Sequence, residues 1–318
     1  MATLPARAFD SLLHRMFERQ GIDTLPGHLE KSLGVTVAKM TRLDVGVVRI
    51  DRSDGGAPLV ARLFSAARPF AAAEADLAVL RHLQEIGFPA ERPFGDDALS
   101  SHQGQAVLVT GFVRPAPKAK QPGHPILRLG AIIGHLHGLA GPPGAPRAAG
   151  ALHHFAEGTM ADELGAAAGW LDSVEDRVPG GAAAAFDTIR AAVAGADGGD
   201  GLPEGFVHPD PVPKNVIFTA DGPVLVDWTA AGRGPRLPSM TLILRSGWAA
   251  VPFMKGYART ATLTGEERDR LAGLLFSRQL IDLVFRVCRD PESAVMRAKK
   301  LAALRRESEA KARDLLGI

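Results

Sequence analysis

A chain of 318 residues with 46% apolar and 23% charged residues has the balance of a globular enzyme built from about two domains. Its net charge of +2 lacks the concentrated basic face of a nucleic-acid binder, so no nucleic-acid partner is expected. The single cysteine, Cys288, excludes an internal disulfide framework and a cysteine-cluster zinc site.

Residues 1–7 are not followed by a long apolar run, and no apolar stretch of about 20 residues occurs anywhere. The expectation is therefore a cytoplasmic protein without signal peptide or membrane span. Residues 8–33 look helical, with Phe9, Leu12, Leu13 and Phe17 on one face. Between residues 34 and 64 the pattern turns to short β-type runs, at 35–37, 45–50 and 58–64, with Asp54-Gly55-Gly56 as a turn. Residues 70–87 return to helical spacing through Ala71, Glu74, Leu77, Leu80, Leu83 and Ile86, and Gly87 with Pro89 ends that helix. Residues 105–112 read as a further strand. A small antiparallel sheet with one inserted helix is expected over 34–112, within an N-terminal lobe of residues 1–113.

Residues 114–318 change character. A Pro/Lys-rich connector covers 115–123, and helices are expected at roughly 125–140, 155–178, 182–195, 237–260, 264–288 and 291–315. Residues 141–150 and 194–203, rich in Gly, Pro and Ala, read as mobile loops. The one β interlude expected is a hairpin of residues 216–218 and 224–226, because Asp221-Gly222 tolerates the positive φ of a tight turn. Cys288 lies in an apolar helical run and reads as a buried, inert thiol. His137 reads as a packed helix residue. His153 and His154, adjacent on a helix, point apart and read as solvated. The basic run 297–313 reads as a solvated amphipathic face.

The chemistry concentrates in His208-Pro209-Asp210-Pro211-Val212-Pro213-Lys214-Asn215, followed twelve residues later by Asp227-Trp228. A hairpin between them returns the chain on itself and brings Asn215 beside Asp227. Phosphoryl transfer needs this set: a carboxylate near the attacking hydroxyl, and an amide and a second carboxylate for metal ions on the nucleotide phosphates. Two oxygen ligands suit Mg2+, which keeps several waters and takes few protein carboxylates.

The layout and the motif together resemble the aminoglycoside phosphotransferase and choline kinase family, over about residues 30–315. The family's catalytic loop reads H-G-D-x-x-x-x-N, followed by a strand and I-D-W or V-D-W. His208, Asp210, Asn215 and Val226-Asp227-Trp228 stand in register with it, and the helix ending in Leu136-His137-Gly138-Leu139 resembles the family's L-H-x-L helix. The resemblance implies an α+β, bilobal protein-kinase-like fold, with a helical C-terminal lobe over 114–318. It implies that Asp210 orients and deprotonates a substrate hydroxyl, that Asn215 and Asp227 hold Mg2+, and that His208 braces the loop. Arg62 stands where the family carries the lysine that contacts the α- and β-phosphates, Glu74 would be its ion-pair partner, with Asp76 and Glu85 as nearby alternatives, and backbone groups between about 108 and 113, Val109 and Gly111 among them, would receive the base. Four departures stand out. Arginine replaces that lysine, Pro209 replaces the usual glycine, the phosphate-covering loop 43–48 has Gly46 as its one glycine, and residues 234–240 lack the acids of the family's D-P…D-L-A run.

The expected activity is transfer of the γ-phosphoryl of ATP or GTP to a hydroxyl of an antibiotic or metabolite, with antibiotic resistance as one outcome. The alternative is a pseudokinase that binds nucleotide without transfer, suggested by Arg62, the proline-rich loop and the missing acids. Glu157, Asp162, Glu163, Asp172, Glu175, Asp176 and Asp282 are candidate acids for a polycation site. The net positive charge and basic C-terminal helix favour a neutral or anionic hydroxylated acceptor instead.

Overall fold

The computed structural model describes Phe9 and residues 19–117, 124–142 and 159–317. Five antiparallel strands, β1 (Val37–Asp44), β2 (Val47–Arg52), β3 (Leu59–Leu63), β4 (Leu99–His102) and β5 (Gln105–Gly111), form one sheet in the order β1-β2-β3-β5-β4. Side chains alternate between the faces of a strand. On one face Val48, Ile50, Leu59, Ala61, Leu63, Val107 and Val109 form a core with Leu25 and Leu29 of helix α1 (Leu25–Leu33). The register Val47↔Arg62↔Leu108 and Arg49↔Val60↔Thr110 places those six residues on the other face. Helix α2 (Phe70–Glu85) is inserted between β3 and β4.

The helix expected over 8–33 is interrupted near its middle: residues 19–21 are not helical, Gly21 sits at φ 71°, residues 22–24 form a turn, and α1 starts at Leu25. Residues 10–18 lie outside the described residues. Phe9, which is helical, packs among helices of the other lobe, 5.4 Å from Phe285 and 6.1 Å from Trp170 between ring centres. Strand β4 carries Ser100 and Ser101 and has no strong apolar alternation, which is why the sequence hid it. A two-residue turn at Gln103-Gly104, both at positive φ, joins it to β5.

The second lobe contains α3 (Pro125–His137), α4 (Met160–Val174), α5 (Ala183–Ala194), α6 (Arg236–Leu244), α7 (Ala250–Tyr257), α8 (Gly265–Arg289), α9 (Ala294–Ala298) and α10 (Leu301–Leu316). The long α8 starts at a capping box, with Thr264 and Glu267 satisfying each other's backbone N–H groups. It buries Leu271, Leu274, Leu280, Ile281, Val284 and Val287, and Cys288 is buried near its end. Burial pushes the Cys288 thiol up to about 12, so it stays protonated and unreactive. The helix expected over 237–260 breaks at 245–249 around Ser246-Gly247, and the one over 291–315 divides into α9 and α10.

Two further expectations need correction. The segment 194–203 is pinned rather than loose: Arg270 donates to both carboxylate oxygens of Asp197, at 3.0 and 2.6 Å, and to Asp200 O at 2.8 Å. The hairpin of β7 (Val216–Thr219) and β8 (Gly222–Leu225) is joined by a second ribbon, β6 (Glu204–Val207) paired with β9 (Gly232–Pro235). The sequences Glu-Gly-Phe-Val and Gly-Arg-Gly-Pro carry little alternating signal. The hairpin turn lies over residues 219–222 as expected, with Ala220-Asp221 between the paired Thr219 and Gly222 and Gly222 at φ 130°. His153, His154 and Glu157 lie outside the described residues. Among the described residues no helix is long and apolar enough to cross a membrane.

Candidate active site

Strand β6 delivers His208 into the interior, where it is 1% exposed. Its Nε2 donates to Val226 O at 3.1 Å, and its Nδ1 accepts the Asp210 N–H at 3.2 Å. This pair of bonds requires the neutral tautomer with hydrogen on Nε2. Burial lowers the His208 pKa and keeps it neutral, against the pull of Asp227 and Asp210. The imidazole thus ties the loop to the strand leading to Asp227.

Asn215 closes the loop from the other end. Its Nδ2 donates to Asp210 O at 2.9 Å and to Asp210 Oδ2 at 3.1 Å. Its own backbone is fixed by Asn215 N to Val212 O at 3.0 Å and Val226 N to Asn215 O at 3.0 Å. Lys214 Nζ lies 3.5 Å from the same Asp210 oxygen and is largely exposed. The Asp210 side chain is only 14% exposed, so its orientation is set by these contacts.

Asp227 follows β8 with φ at 68°, a left-handed conformation uncommon outside glycine and better tolerated by Asp and Asn. Its Oδ1 accepts from Thr229 Oγ1 at 3.1 Å and lies 3.1 Å from Arg62 Nη1. Burial works against the Arg62 charge, but Asp227, Glu91 and Asp76 together raise its pKa.

Glu74 does not pair with Arg62. It is exposed on α2, whereas Asp76, two residues on and therefore on the opposite side of the helix, is buried. Asp76 binds Arg68 at 2.6 and 3.1 Å and accepts the Ala230 N–H at 2.8 Å, so α2 grips the loop that follows Asp227. The acid that reaches Asp227 itself is Glu91, which the motif reading missed because it lies beyond the end of α2. Its Oε1 accepts the Asp227 N–H at 2.8 Å and its Oε2 accepts from Thr110 Oγ1 at 3.0 Å.

Residues 43–274 match the phosphotransferase enzyme family. The chain belongs to that family. Three solved structures show the same fold at low identity. An amicoumacin kinase in complex with AMP-PNP, Ca2+ and Ami is 14% identical, with a TM-score of 0.60, covering 95% of this chain and 96% of its own. A choline/ethanolamine kinase family protein from Mesorhizobium loti is 18% identical, with a TM-score of 0.58, covering 92% and 99%. A spectinomycin phosphotransferase with ADP and spectinomycin is 11% identical, with a TM-score of 0.53, covering 91% and 93%. No curated protein matches. The chain is therefore a small-molecule phosphotransferase with a kinase-like fold.

In this phosphotransferase the backbone groups expected to take the base are partly spent. Val109 N–H donates to Ala98 O at 2.8 Å, Val109 O accepts from Phe94 N–H at 2.9 Å, and Gly111 N–H donates to Arg92 O at 2.9 Å. Phe112 N–H donates to Pro58 O at 2.9 Å. The outer edge of β5 is thus bonded to residues 92–98. The β1–β2 turn is equally tight. Gly46 sits at φ 68°, its carbonyl accepts from Leu63 N–H at 2.7 Å, and a Cβ there would meet Leu63 O at 2.5 Å. Arg19 lies beside it, donating to Leu63 O at 2.9 Å.

An apolar cavity of about 630 Å3 opens between the lobes, lined by Leu43, Phe112 and Val113 on one side and Pro213, Ile217 and Trp248 among others. Trp248 is 68% exposed. Five of the seven acids considered for a polycation site have partners of their own. Asp162 completes the α4 capping box, Glu163 is buried against Arg278, Asp172 and Glu175 meet Arg190, and Asp282 pairs with Arg245. In the acid-free segment 234–240, Arg236 binds the buried Glu267 at 2.7 Å.

The donor set bears on a metal ion. Among the described residues no three His, Cys, Asp or Glu side chains cluster as a cage. An amide oxygen at Asn215 and a carboxylate at Asp227, both hard donors, fit Mg2+ completed by phosphate oxygens and water.

Proposed function

We propose that this phosphotransferase moves the γ-phosphoryl of ATP or GTP to a hydroxyl of a neutral small molecule, in the cytoplasm and with Mg2+ as cofactor. The observation that carries this reading is the Asp210 carboxylate, held by the Asn215 amide on a loop that His208 ties to the strand leading to Asp227. Asp210 would accept the hydroxyl proton as the acceptor oxygen attacks the γ-phosphorus and the bond to the β-phosphate oxygen breaks. Asn215 and Asp227 would hold Mg2+, which screens charge on the phosphates. Arg62 would turn from Asp227 toward a phosphate, a planar donor well suited to that anion.

The apolar cavity, whose lining holds no acid, and the pairing of Glu163 and Asp282 with arginines favour a hydroxylated acceptor with an apolar part, such as a sugar-bearing or nucleoside antibiotic or a metabolite, over a polycation. The amicoumacin kinase and spectinomycin phosphotransferase structures, with AMP-PNP and ADP bound, support a nucleotide co-substrate and an antibiotic acceptor. The test is to incubate the protein with Mg2+ and ATP or GTP against a panel of hydroxylated antibiotics and metabolites. A phosphate mass gain on one compound, lost in Asp210→Asn, is expected.

A second reading, a pseudokinase that binds nucleotide without transfer, is favoured by one contact. Arg62 already occupies the acid that would carry the metal. Stabilisation by nucleotide without product from any acceptor, in both the wild type and Arg62→Lys, would select it.

A further inference from the structure

The Asp227 N–H poses a problem of local geometry. The ladder between the two motif segments ends where Val226 N–H donates to Asn215 O. At φ 68° the next N–H turns away from that partner, and a buried amide without an acceptor costs roughly 1–3 kcal/mol. The acceptor comes from another part of the chain: Glu91 Oε1, 136 residues away in sequence.

Glu91 is itself fixed at three points. Its N–H donates to Leu225 O at 3.1 Å, where residues 89–91 lie parallel to β8. Its Oε2 accepts from Thr110 Oγ1 on β5. The residue is 7% exposed, and burial pushes its pKa up against the opposing pull of Arg62 and the Asp227 N–H. A buried carboxylate is costly and would not persist for packing alone. One side chain thus joins the sheet, the hairpin and the loop carrying Asp227.

We infer that Glu91 is a positioning residue for phosphoryl transfer: it holds Asp227 in its left-handed conformation from the sheet side and so aims the Asp227 carboxylate at the metal. This rests on the functional reading above, in which Asp227 holds Mg2+. Glu91 lies on the segment that runs beside β8, not on helix α2, where the sequence placed the acid expected to pair with Arg62. Asp76 grips the loop at Ala230 and Glu91 grips it at Asp227, so the loop is held at both ends.

The test compares wild type, Glu91→Gln, Glu91→Ala and Thr110→Val. Three quantities are read: the Mg2+ concentration for half-maximal phosphoryl transfer, Mn2+ binding in the presence of nucleotide, and the unfolding temperature. Glu91→Gln keeps the shape but removes the charge. It is expected to raise the half-saturating metal concentration roughly 10-fold, as for other residues that orient a metal ligand. Glu91→Ala should raise it further, and Thr110→Val in the same direction by less. Variants that unfold earlier but show wild-type metal dependence would overturn the assignment and leave Glu91 structural. If Glu91→Ala does not fold, the isosteric Gln variant and Thr110→Val still decide. A wild-type protein that neither binds metal–nucleotide nor transfers phosphate overturns the functional reading itself, a result distinct from wild-type activity with unmoved variants.

Discussion

Arg62 Nη1 lies 3.1 Å from Asp227 Oδ1, so the cation of the sheet and the acid of the C-terminal lobe are joined directly across the cleft. Both side chains are largely buried, at 18% and 25% exposure. A compact ammonium would meet the carboxylate at a point. The planar guanidinium spreads its charge over several donors, and Glu91 and Asp76 lie within its field.

Arg62→Ala should therefore be expensive. Deleting one partner of a buried charge pair leaves the other uncompensated, and here three acids lose their cation. A destabilisation of about 3 kcal/mol is expected, the low end for buried pairs because some solvent reaches this one. Arg62→Lys keeps the charge and should cost about 1 kcal/mol or less. Urea unfolding of the two variants measures the difference; equal losses would mean that shape, not charge, matters at this position.

Asp210→Asn removes the proton acceptor but preserves an oxygen for the Asn215 amide. The rate of phosphoryl transfer should fall by roughly 10²–10⁴-fold, the usual worth of a positioned general base. Stabilisation by nucleotide should persist, because neither Arg62 nor Asp227 is touched. Single-turnover rates and thermal shifts on the same samples separate the two effects. Retention of wild-type turnover would remove Asp210 from the chemistry.

The sequence was most legible where spacing and residue type act together. The His208–Asn215 run and Asp227 were readable because the hairpin between them has a strong apolar pattern and a turn signal. Helices α2, α3 and α8 were readable from apolar period and end signals. The misses share a different origin. Strands β4, β6 and β9 are short, polar or glycine-rich, and are made strands by their neighbours rather than by their own alternation. Glu91 carries no local signal: a Glu after Ala90 and before Arg92 looks like a solvated turn until β8 is laid beside it. Glu74 and Asp76 show the reverse error, since both fit a helix and only packing says which face turns inward.

The glycines of α3 and α7 give a sharper test of packing. A Cβ on Gly130 would sit 2.0 Å from Phe253 O, and one on Gly256 1.8 Å from Leu127 O. The obstacle is backbone in each case, so the helices must separate to admit a methyl group. Overpacking of this kind typically costs about 1–3 kcal/mol and sometimes more. Gly130→Ala and Gly256→Ala should each lower the unfolding temperature strongly, whereas Gly165→Ala, with open space around it, should not. A tolerated Gly256→Ala would mean that the two helices do not approach this closely.

Acid sensitivity should trace in part to His137, on the buried end of α3. Its Nδ1 lies 3.0 Å from the Tyr257 hydroxyl, and its Nε2 has no hydrogen-bond partner. Burial pushes its pKa down to about 3, with Arg236 adding to the effect, while burial pushes Tyr257 up to about 12. In the unfolded chain the imidazole returns to its ordinary value near 6.5. Below that pH the unfolded chain binds a proton that the native protein refuses, so stability falls as pH falls. The loss begins near pH 6.5 and ends only near pH 3. Between pH 7.5 and 5 the His137 share should be about 2 kcal/mol, at roughly 1.4 kcal/mol per unit once well below 6.5. Denaturant unfolding at several pH values measures this for wild type and His137→Gln, which can still bond to Tyr257 but does not titrate. The variant should show a flatter acid limb by about that amount, whatever its stability at neutral pH. Parallel limbs would mean that His137 takes up its proton without unfolding the protein.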